Sequence, residues 1–210
     1  MQIISFAGLA GAGKSLAVDT AAKWALENGF TPRLESFAGP LKRAATAIGA
    51  IKGGPKDALY RKFCQIVGTE LVRDPDTVPG ITGHNYWVDL MELTFDILAH
   101  EEQSKMDDPT FHEFMVLIDD ARYMNEVDSI RTYSGINVFL DAARRLTDLD
   151  AEWRKHSSED LARDYTSGKL KDSLFDFSIS SNNSSDDLRA IITSMMPTWS
   201  GQIAEERIID

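Results

Sequence analysis

The feature that most constrains this chain is a glycine-rich segment near its start, Gly8-Leu9-Ala10-Gly11-Ala12-Gly13-Lys14-Ser15. It follows an apolar run at residues 2–7 and precedes a helical pattern over residues 14–28. The segment fits G-x-x-x-x-G-K-[ST] at every defined position, and this is the pattern of a loop whose backbone N–H groups cradle phosphates. The order of strand, loop and helix therefore predicts a nucleotide-binding P-loop.

The chemistry of this loop predicts which residues contact a nucleotide and its metal ion. We expect ATP with Mg²⁺, because Lys14 can reach the β- and γ-phosphates and the Ser15 hydroxyl can ligate the ion. The residues expected to contact the nucleotide are Gly11, Ala12, Gly13, Lys14, Ser15 and Leu16.

Strand and helix patterns alternate along the rest of the chain. Further strands are expected at residues 33–37, 114–118, 136–140 and 174–179. Further helices are expected at residues 40–48, 56–72, 86–103, 124–133 and 186–196. This alternation predicts an α/β fold of the three-layer P-loop NTPase type, with a parallel sheet covered on both faces. A length of 210 residues suits a single domain with insertions.

Composition narrows the class of partner. The chain has 33 acidic and 22 basic residues, for a net charge of −11, which argues against non-specific binding to nucleic acid or to anionic membranes. Its one cysteine, Cys64, excludes an intramolecular disulfide and a multi-cysteine zinc site. No targeting segment is visible, so we expect a cytoplasmic protein whose partners are small molecules, with neither nucleic acid nor a membrane.

Two acids stand at the end of the clearest apolar strand. Asp119 and Asp120 follow residues 114–118, and Arg122 comes two residues later. Ligands of α/β sheets bind at the carboxyl ends of strands, so both carboxylates should lie near the phosphates. Asp119 is the expected magnesium-orienting acid and Asp120 the expected catalytic acid, although the sequence leaves open which of the two is the principal one. Arg122 could clamp an anionic group.

A family resemblance rests on several short segments that occur in the same order. Asp120-Ala121-Arg122-Tyr123-Met124-Asn125-Glu126 resembles the D-x-R-F-P-N-E segment of phage deoxynucleoside monophosphate kinases. The other matching segments are Phe37 to Lys42 (F-A-D-P-L-K), Gln65 to Arg73 (Q-x-x-G-T-E-x-x-R), Tyr86-Trp87 (Y-W) and His156 to Glu159 (H-x-S-E). The chain departs from the pattern at Gly39, where the family usually has aspartate, and at Met124, where it usually has proline.

The resemblance implies a single P-loop kinase domain over residues 1–210, which would convert 2′-deoxynucleoside 5′-monophosphates to diphosphates with ATP. Residues 40–105 would form a helical acceptor-binding insertion, and residues 142–168 a charged lid. If the gene belongs to a phage, the location is the host cytoplasm. A homodimer is left open.

Candidate residues can be assigned within this scheme. Arg61, Gln65 and Arg73 lie at spacings of four and eight, roughly on one helical face, with Arg73 the first candidate for the acceptor phosphate. The acceptor-binding candidates are Phe37, Lys42, Arg61, Gln65, Arg73, Trp87 and Arg122. The catalytic candidates are Lys14, Asp120, Arg122, Arg144 and Arg145, where either of the last two would close over the transferring phosphoryl group.

The same loop is compatible with other functions. One is a kinase of another small acceptor, such as dephospho-coenzyme A. Another is a P-loop ATPase or GTPase switch, although DNA work would call for a basic surface. A third is a nucleotide-sensing subunit, which the intact Lys14-Ser15 pair and the two acids argue against.

Overall fold

The structure, a computed structural model, describes residues 1–50, 57–144, 146 and 155–206. Five strands form its sheet: β1 (Gln2–Ala7), β2 (Thr31–Glu35), β3 (Phe114–Ala121), β4 (Ile136–Asp141) and β5 (Phe177–Ser180). All paired strands are parallel, in the order β2-β3-β1-β4-β5. The expected α/β fold with a parallel sheet is therefore confirmed.

Seven α-helices connect and flank the strands within the described residues. They are α1 (Lys14–Glu27), α2 (Gly39–Ala47), α3 (Asp57–Gln65), α4 (Tyr86–Ser104), α5 (Met124–Thr132), α6 (Asp160–Thr166) and α7 (Ser185–Glu206). A π-helical segment, Ile66–Leu71, follows α3 directly. Short 3₁₀ turns occupy Ser157–Glu159 and Asp172–Leu174. None of the described helices combines the length and the apolar character needed to cross a membrane.

Two buried clusters lie on opposite faces of the sheet, because successive side chains of a strand alternate between faces. One cluster joins Ile3 and Val116 to residues of α4, α5 and α6. The other joins Ile4 and Leu117 to residues of α1 and α7. Helices thus cover both faces of the central sheet, which gives the three layers that the sequence predicts.

Some boundaries differ from the sequence-based prediction. Strand β2 covers Thr31–Glu35 rather than 33–37, because the N–H groups of Phe37 and Ala38 donate to a carboxylate of β3 instead of to a sheet neighbour. Strand β5 begins at Phe177 rather than at 174, since Asp172–Leu174 is a 3₁₀ turn. Helix α7 continues past 196 and through Pro197 to Glu206.

The extension of α7 contributes a large buried side chain to the core. Trp199 has no exposed surface and packs against Phe6 and Phe177, with ring centroids 6.0 and 5.7 Å away. It therefore fixes the last helix against the sheet, directly behind the strand that leads into the glycine-rich loop.

We expect Trp199→Ala to lower the free energy of unfolding by about 3–5 kcal/mol, because it removes a fully buried aromatic side chain and leaves a cavity. Urea denaturation measures this loss. Thr198→Ala, at the exposed neighbouring position, is the matched control and should change stability little. Equal stability of the two variants would contradict the packing role of Trp199.

Candidate functional site

The glycine-rich loop connects β1 to α1 and depends on glycine at its two defined positions. Gly8 and Gly13 have φ values of 137° and 99°, which residues with a side chain rarely adopt. A Cβ atom on Gly8 would lie 2.6 Å from the Leu140 carbonyl oxygen, and one on Gly13 would lie 2.8 Å from Leu188 Cδ2. Only glycine lets the loop turn this close to β4 and α7.

The loop and the first turn of α1 carry the groups expected to hold a nucleotide. Lys14 is buried, and its Nζ donates to the carbonyl oxygens of Gly8 (2.6 Å) and Leu9 (3.0 Å). Gly11, Gly13, Lys14, Ser15 and Leu16 all line one cavity. Ala12 differs, because its side chain packs in the core and its N–H donates to the Leu9 carbonyl oxygen within the loop.

Ser15 meets Asp119 at the carboxyl end of the sheet. The Ser15 hydroxyl donates to Asp119 Oδ2 over 3.2 Å, and Lys42 Nζ lies 3.1 Å from the other carboxylate oxygen. A hydroxyl and a carboxylate are the oxygen ligands that Mg²⁺ prefers. No group of three or more His, Cys, Asp or Glu side chains with metal-site geometry occurs among the described residues. The pair therefore fits an ion that takes its other ligands from a nucleotide and water.

Asp120, one residue further along β3, is turned toward the opposite side and is buried. Its carboxylate accepts hydrogen bonds from the N–H groups of Phe37 (2.9 Å) and Ala38 (3.2 Å) and from the Ser36 hydroxyl. Lys42 Nζ lies 2.9 Å from Asp120 Oδ2. This carboxylate therefore ties β3 to the turn between β2 and α2.

The surroundings of Asp120 determine its charge state. Burial would raise its pKa, but the ammonium of Lys42 and the hydrogen bonds from Ser36, Lys42 and Ala38 outweigh burial and lower the pKa to about 2. Burial likewise works against the charged form of Lys42, and the charges of Asp120 and Asp119 outweigh it and raise the pKa of Lys42. The ammonium of Lys42 thus joins both carboxylates in one cluster beside the loop.

A second group of charges lies around Arg73, which is buried. Its guanidinium pairs with the carboxylate of Glu126, donates to the His84 carbonyl oxygen over 2.8 Å and lies 3.9 Å from the ring centre of Tyr123. Glu126 Oε2 also accepts from the N–H groups of Arg122 (2.6 Å) and Tyr123 (3.2 Å). Burial raises the pKa of Glu126 to about 7, against the opposing effect of Arg73.

The expectation that Arg61, Gln65 and Arg73 share one face of a single α-helix is wrong. Helix α3 ends at Gln65, and the π-helical segment Ile66–Leu71 changes the angular spacing before Arg73 is reached. All three side chains nevertheless line the same cavity.

Arg122 and the phosphate loop share a carboxylate, Glu159, that lies within the expected lid segment, residues 142–168. The Arg122 guanidinium pairs with Glu159 Oε1, and Glu159 Oε2 accepts from the N–H of Ala10 over 2.8 Å. The Glu159 side chain is 4% exposed, whereas that of Arg122 is 33% exposed. Arg122 therefore has one side fixed by Glu159 while part of its surface stays accessible.

The expected lid arginines are only partly described. Arg144 lies in the turn after β4 with its side chain exposed, and its N–H donates to Asn182 Oδ1 over 2.8 Å. Arg145 and residues 147–154 lie outside the described residues. His156 lies near the start of the described part that follows, and its Nδ1 accepts from the N–H of Ser158 over 3.2 Å.

One cavity of about 440 Å³ is lined by the phosphate loop and by the charged groups at the end of β3, whereas Arg144 does not line it. It joins the phosphate loop, Asp119 and Asp120 to every residue expected to bind the acceptor: Phe37, Lys42, Arg61, Gln65, Arg73, Trp87 and Arg122. The Trp87 indole is 5% exposed and donates through Nε1 to the Gly68 carbonyl oxygen over 2.8 Å, which fixes the ring at the wall.

The sequence-based assignment missed several residues of this wall. They are Asp57, Tyr60, Tyr123, Glu126 and Glu159. Tyr123, Glu126 and Glu159 belong to segments that carry the family resemblance, so the sequence could have indicated that they belong to the site. The sequence could not have indicated which arginine each of them contacts, because those contacts join residues that are far apart in sequence.

Comparisons with known proteins place the chain in no family. No protein-family model matches it, and no curated protein matches it. Among solved structures, 51 chains match. One is the crystal structure of APE1195, with 12% identity, 94% of this chain and 95% of that chain covered, and a TM-score of 0.42. Another is the Mycobacterium tuberculosis APS kinase CysC in complex with AMPPNP and APS, with 14% identity, coverage of 93% and 97%, and a TM-score of 0.42.

The lowered pKa of Asp120 predicts an acid-dependent loss of stability. A carboxyl whose pKa is lower in the folded than in the unfolded state stabilises the fold above its unfolded pKa, and this contribution disappears as the pH falls through the folded value, here about 2. The contribution at neutral pH is about 2 kcal/mol.

Urea denaturation of wild type and Asp120→Asn at several pH values measures this contribution. The stability difference between them should be larger at about pH 5 than at about pH 2, since at position 120 only the wild type has a carboxylate that protonates in that interval. Asp128→Asn, at an exposed position, is the control. A difference that does not change with pH would contradict the assignment.

Proposed function

We propose that the protein transfers the terminal phosphoryl group of ATP to the 5′-phosphate of a 2′-deoxynucleoside monophosphate. The observation that carries this proposal is the shared cavity, which is lined by the phosphate loop, by the Ser15 and Asp119 oxygens, by three arginines and by aromatic side chains. A cavity of about 440 Å³ lies within the usual range for small-molecule sites. The preference for deoxyribose is supported by the resembling segments alone.

The reaction needs little covalent work from the protein. The bond between the terminal phosphorus and its bridging oxygen breaks, a new bond forms from that phosphorus to an acceptor phosphate oxygen, and the two products are ADP and a nucleoside diphosphate. The acceptor oxygen is already ionised near neutral pH, because the second pKa of a phosphate monoester is about 6. No general base is therefore required, and catalysis depends on holding two anions in line.

The pairing of the two strand-end carboxylates with Lys42 makes the end of β3 a poor source of the general base that a hydroxyl acceptor would need. An alcohol, as in dephospho-coenzyme A, must lose a proton during transfer, which favours a carboxylate that can accept one. Both strand-end carboxylates are paired with Lys42, and the pKa of Asp120 is lowered to about 2, so Asp120 is a weak proton acceptor. A phosphate acceptor makes no such demand.

The proposed roles follow from the contacts. Lys14 and the N–H groups at the start of α1 would bind the donor phosphates. Ser15 and Asp119 would hold Mg²⁺, which when bound neutralises phosphate charge. Asp120 would position other groups rather than react, since its carboxylate holds Phe37 of the β2–α2 turn and Lys42 of α2 in place. Arg122 would bind transferring phosphate, and Arg73 would bind the acceptor.

The experiment that tests the function is a panel of acceptors with ATP and Mg²⁺. It contains the common deoxynucleoside and ribonucleoside monophosphates, dephospho-coenzyme A and a reaction with no acceptor, each scored for ADP and phosphorylated product. We expect diphosphates from deoxynucleoside monophosphates and little ADP without acceptor. Strict use of ribonucleotides or of dephospho-coenzyme A would overturn the proposed acceptor, and acceptor-independent ADP would indicate an ATPase.

The Ser15–Asp119 pair predicts a change in magnesium dependence. We expect Asp119→Asn to raise the Mg²⁺ concentration for half-maximal rate by about 10- to 100-fold, since a neutral amide attracts the ion and its water less strongly. The measurement is the initial rate against free Mg²⁺ at fixed ATP. Asp96→Asn, a change outside the cavity, should leave the curve in place. An unchanged curve in Asp119→Asn would remove this residue from the metal site.

The position of Arg73 predicts a selective effect on the acceptor. We expect Arg73→Ala to lower kcat/KM for the monophosphate by about thirty- to a thousand-fold, mainly through KM, with the KM for ATP nearly unchanged. Steady-state kinetics with each substrate varied in turn measures this.

A control is needed because Arg73→Ala also leaves the buried Glu126 without its cation. Glu126→Gln keeps Arg73 and removes the partner charge, so it separates the arginine from the pair. If Arg73 served only to hold Glu126, Arg73→Ala and Glu126→Gln would have the same kinetic effect, and the KM values for ATP and for the monophosphate would both change. That outcome would contradict the assignment of Arg73 to the acceptor phosphate.

A further inference from the structure

Glu159 is a buried acid, and the acids that follow it in sequence, Asp160 and Asp164, are far more accessible. It ends the 3₁₀ turn Ser157–Glu159, and its side chain is 4% exposed, whereas that of Asp160 beside it is 48% exposed. Burying a carboxylate is costly unless its oxygens are paired. The carboxylate of Glu159 meets that condition with groups from two other parts of the chain.

Each oxygen of Glu159 has its own partner. Oε1 pairs with the guanidinium of Arg122, which follows β3, and Oε2 accepts from the N–H of Ala10 in the phosphate loop over 2.8 Å. One side chain therefore joins the loop, the end of β3 and the segment that leads into α6. The turn is itself held from its start, because His156 Nδ1 accepts from the N–H of Ser158.

Arg122 is held at both ends. Its backbone N–H donates to Glu126 Oε2 over 2.6 Å, and its guanidinium pairs with Glu159. A guanidinium presents five N–H donors in a fixed plane, so an arginine with one edge held by a carboxylate can offer another edge to phosphate. Arg122 lines the cavity and keeps 33% of its side chain exposed, so such an edge is accessible.

We propose that Glu159 is a positioning residue that acts through Arg122, holding its guanidinium beside the phosphate loop in the orientation that the transferring phosphoryl group requires. This inference rests on the proposed phosphoryl transfer. Its consequence is that the segment around Glu159, which follows residues 147–154 directly, takes part in catalysis through Arg122.

A double-mutant cycle tests the inference. Its variants are Glu159→Gln, Arg122→Ala and the double variant, compared by kcat at saturating ATP and monophosphate. We expect Glu159→Gln to lower kcat by about a hundred-fold, the size of effect that misplacement of a reacting group produces. In the Arg122→Ala background the same change should have no further effect. Asp160→Asn, next in sequence and paired with Arg163, is the matched control and should keep wild-type kcat.

Other results of the cycle would overturn the inference. Equal losses from Glu159→Gln in both backgrounds would show that Glu159 acts on the loop or on stability, independently of Arg122. Tighter monophosphate binding with unchanged kcat would instead make Glu159 an anion that competes with substrate for Arg122.

A readout without turnover separates this inference from the proposed function. Arginine guanidinium resonances report how fast the group rotates, and we expect Arg122 to rotate slowly in wild type and rapidly in Glu159→Gln. Equally fast rotation in both proteins would contradict the positioning role even in an active enzyme. Failure of the acceptor panel with the wild type would instead reject the proposed function, whatever the resonances show.

Discussion

The site depends on the opposite orientations of the two acids at the end of β3. Because successive side chains of a strand point to opposite sides, Asp119 meets Ser15 on the phosphate loop while Asp120 turns to the β2–α2 turn. Lys42 contacts both carboxylates. The proposed donor side and the proposed acceptor side of the cavity are thus joined through one cluster of charged side chains, so that displacement of either acid would move both sides.

The charged groups of the cavity explain how an acidic protein could hold two anionic substrates. Arg73 pairs with Glu126 and Arg122 with Glu159, so these cations are fixed in place while each guanidinium retains further donors. Arginine suits this arrangement better than lysine, whose charge is a single compact group. The net charge of −11 therefore gives little information about the local field in the cavity.

The sequence predicts local features of this molecule well and long-range ones poorly. The phosphate loop and the alternating strands and helices follow from local pattern, as does the meeting of Ser15 with an acid at the end of β3. The shift of β2 arises from the N–H groups that Asp120 recruits, and the π-helical segment separates Arg73 from the face of α3. The partners of Glu126 and Glu159 depend on tertiary contacts across 53 and 149 residues, which no local pattern encodes.

Direct transfer of the phosphoryl group from ATP to a bound nucleotide can be followed by the position of an isotopic label. ATP labelled in its γ-phosphate is incubated with the protein and a deoxynucleoside monophosphate, and the products are separated while only a small fraction of the ATP has been consumed. We expect the label to appear in the β-phosphate of the deoxynucleoside diphosphate. Label released as inorganic phosphate at the same rate with and without the monophosphate would contradict it.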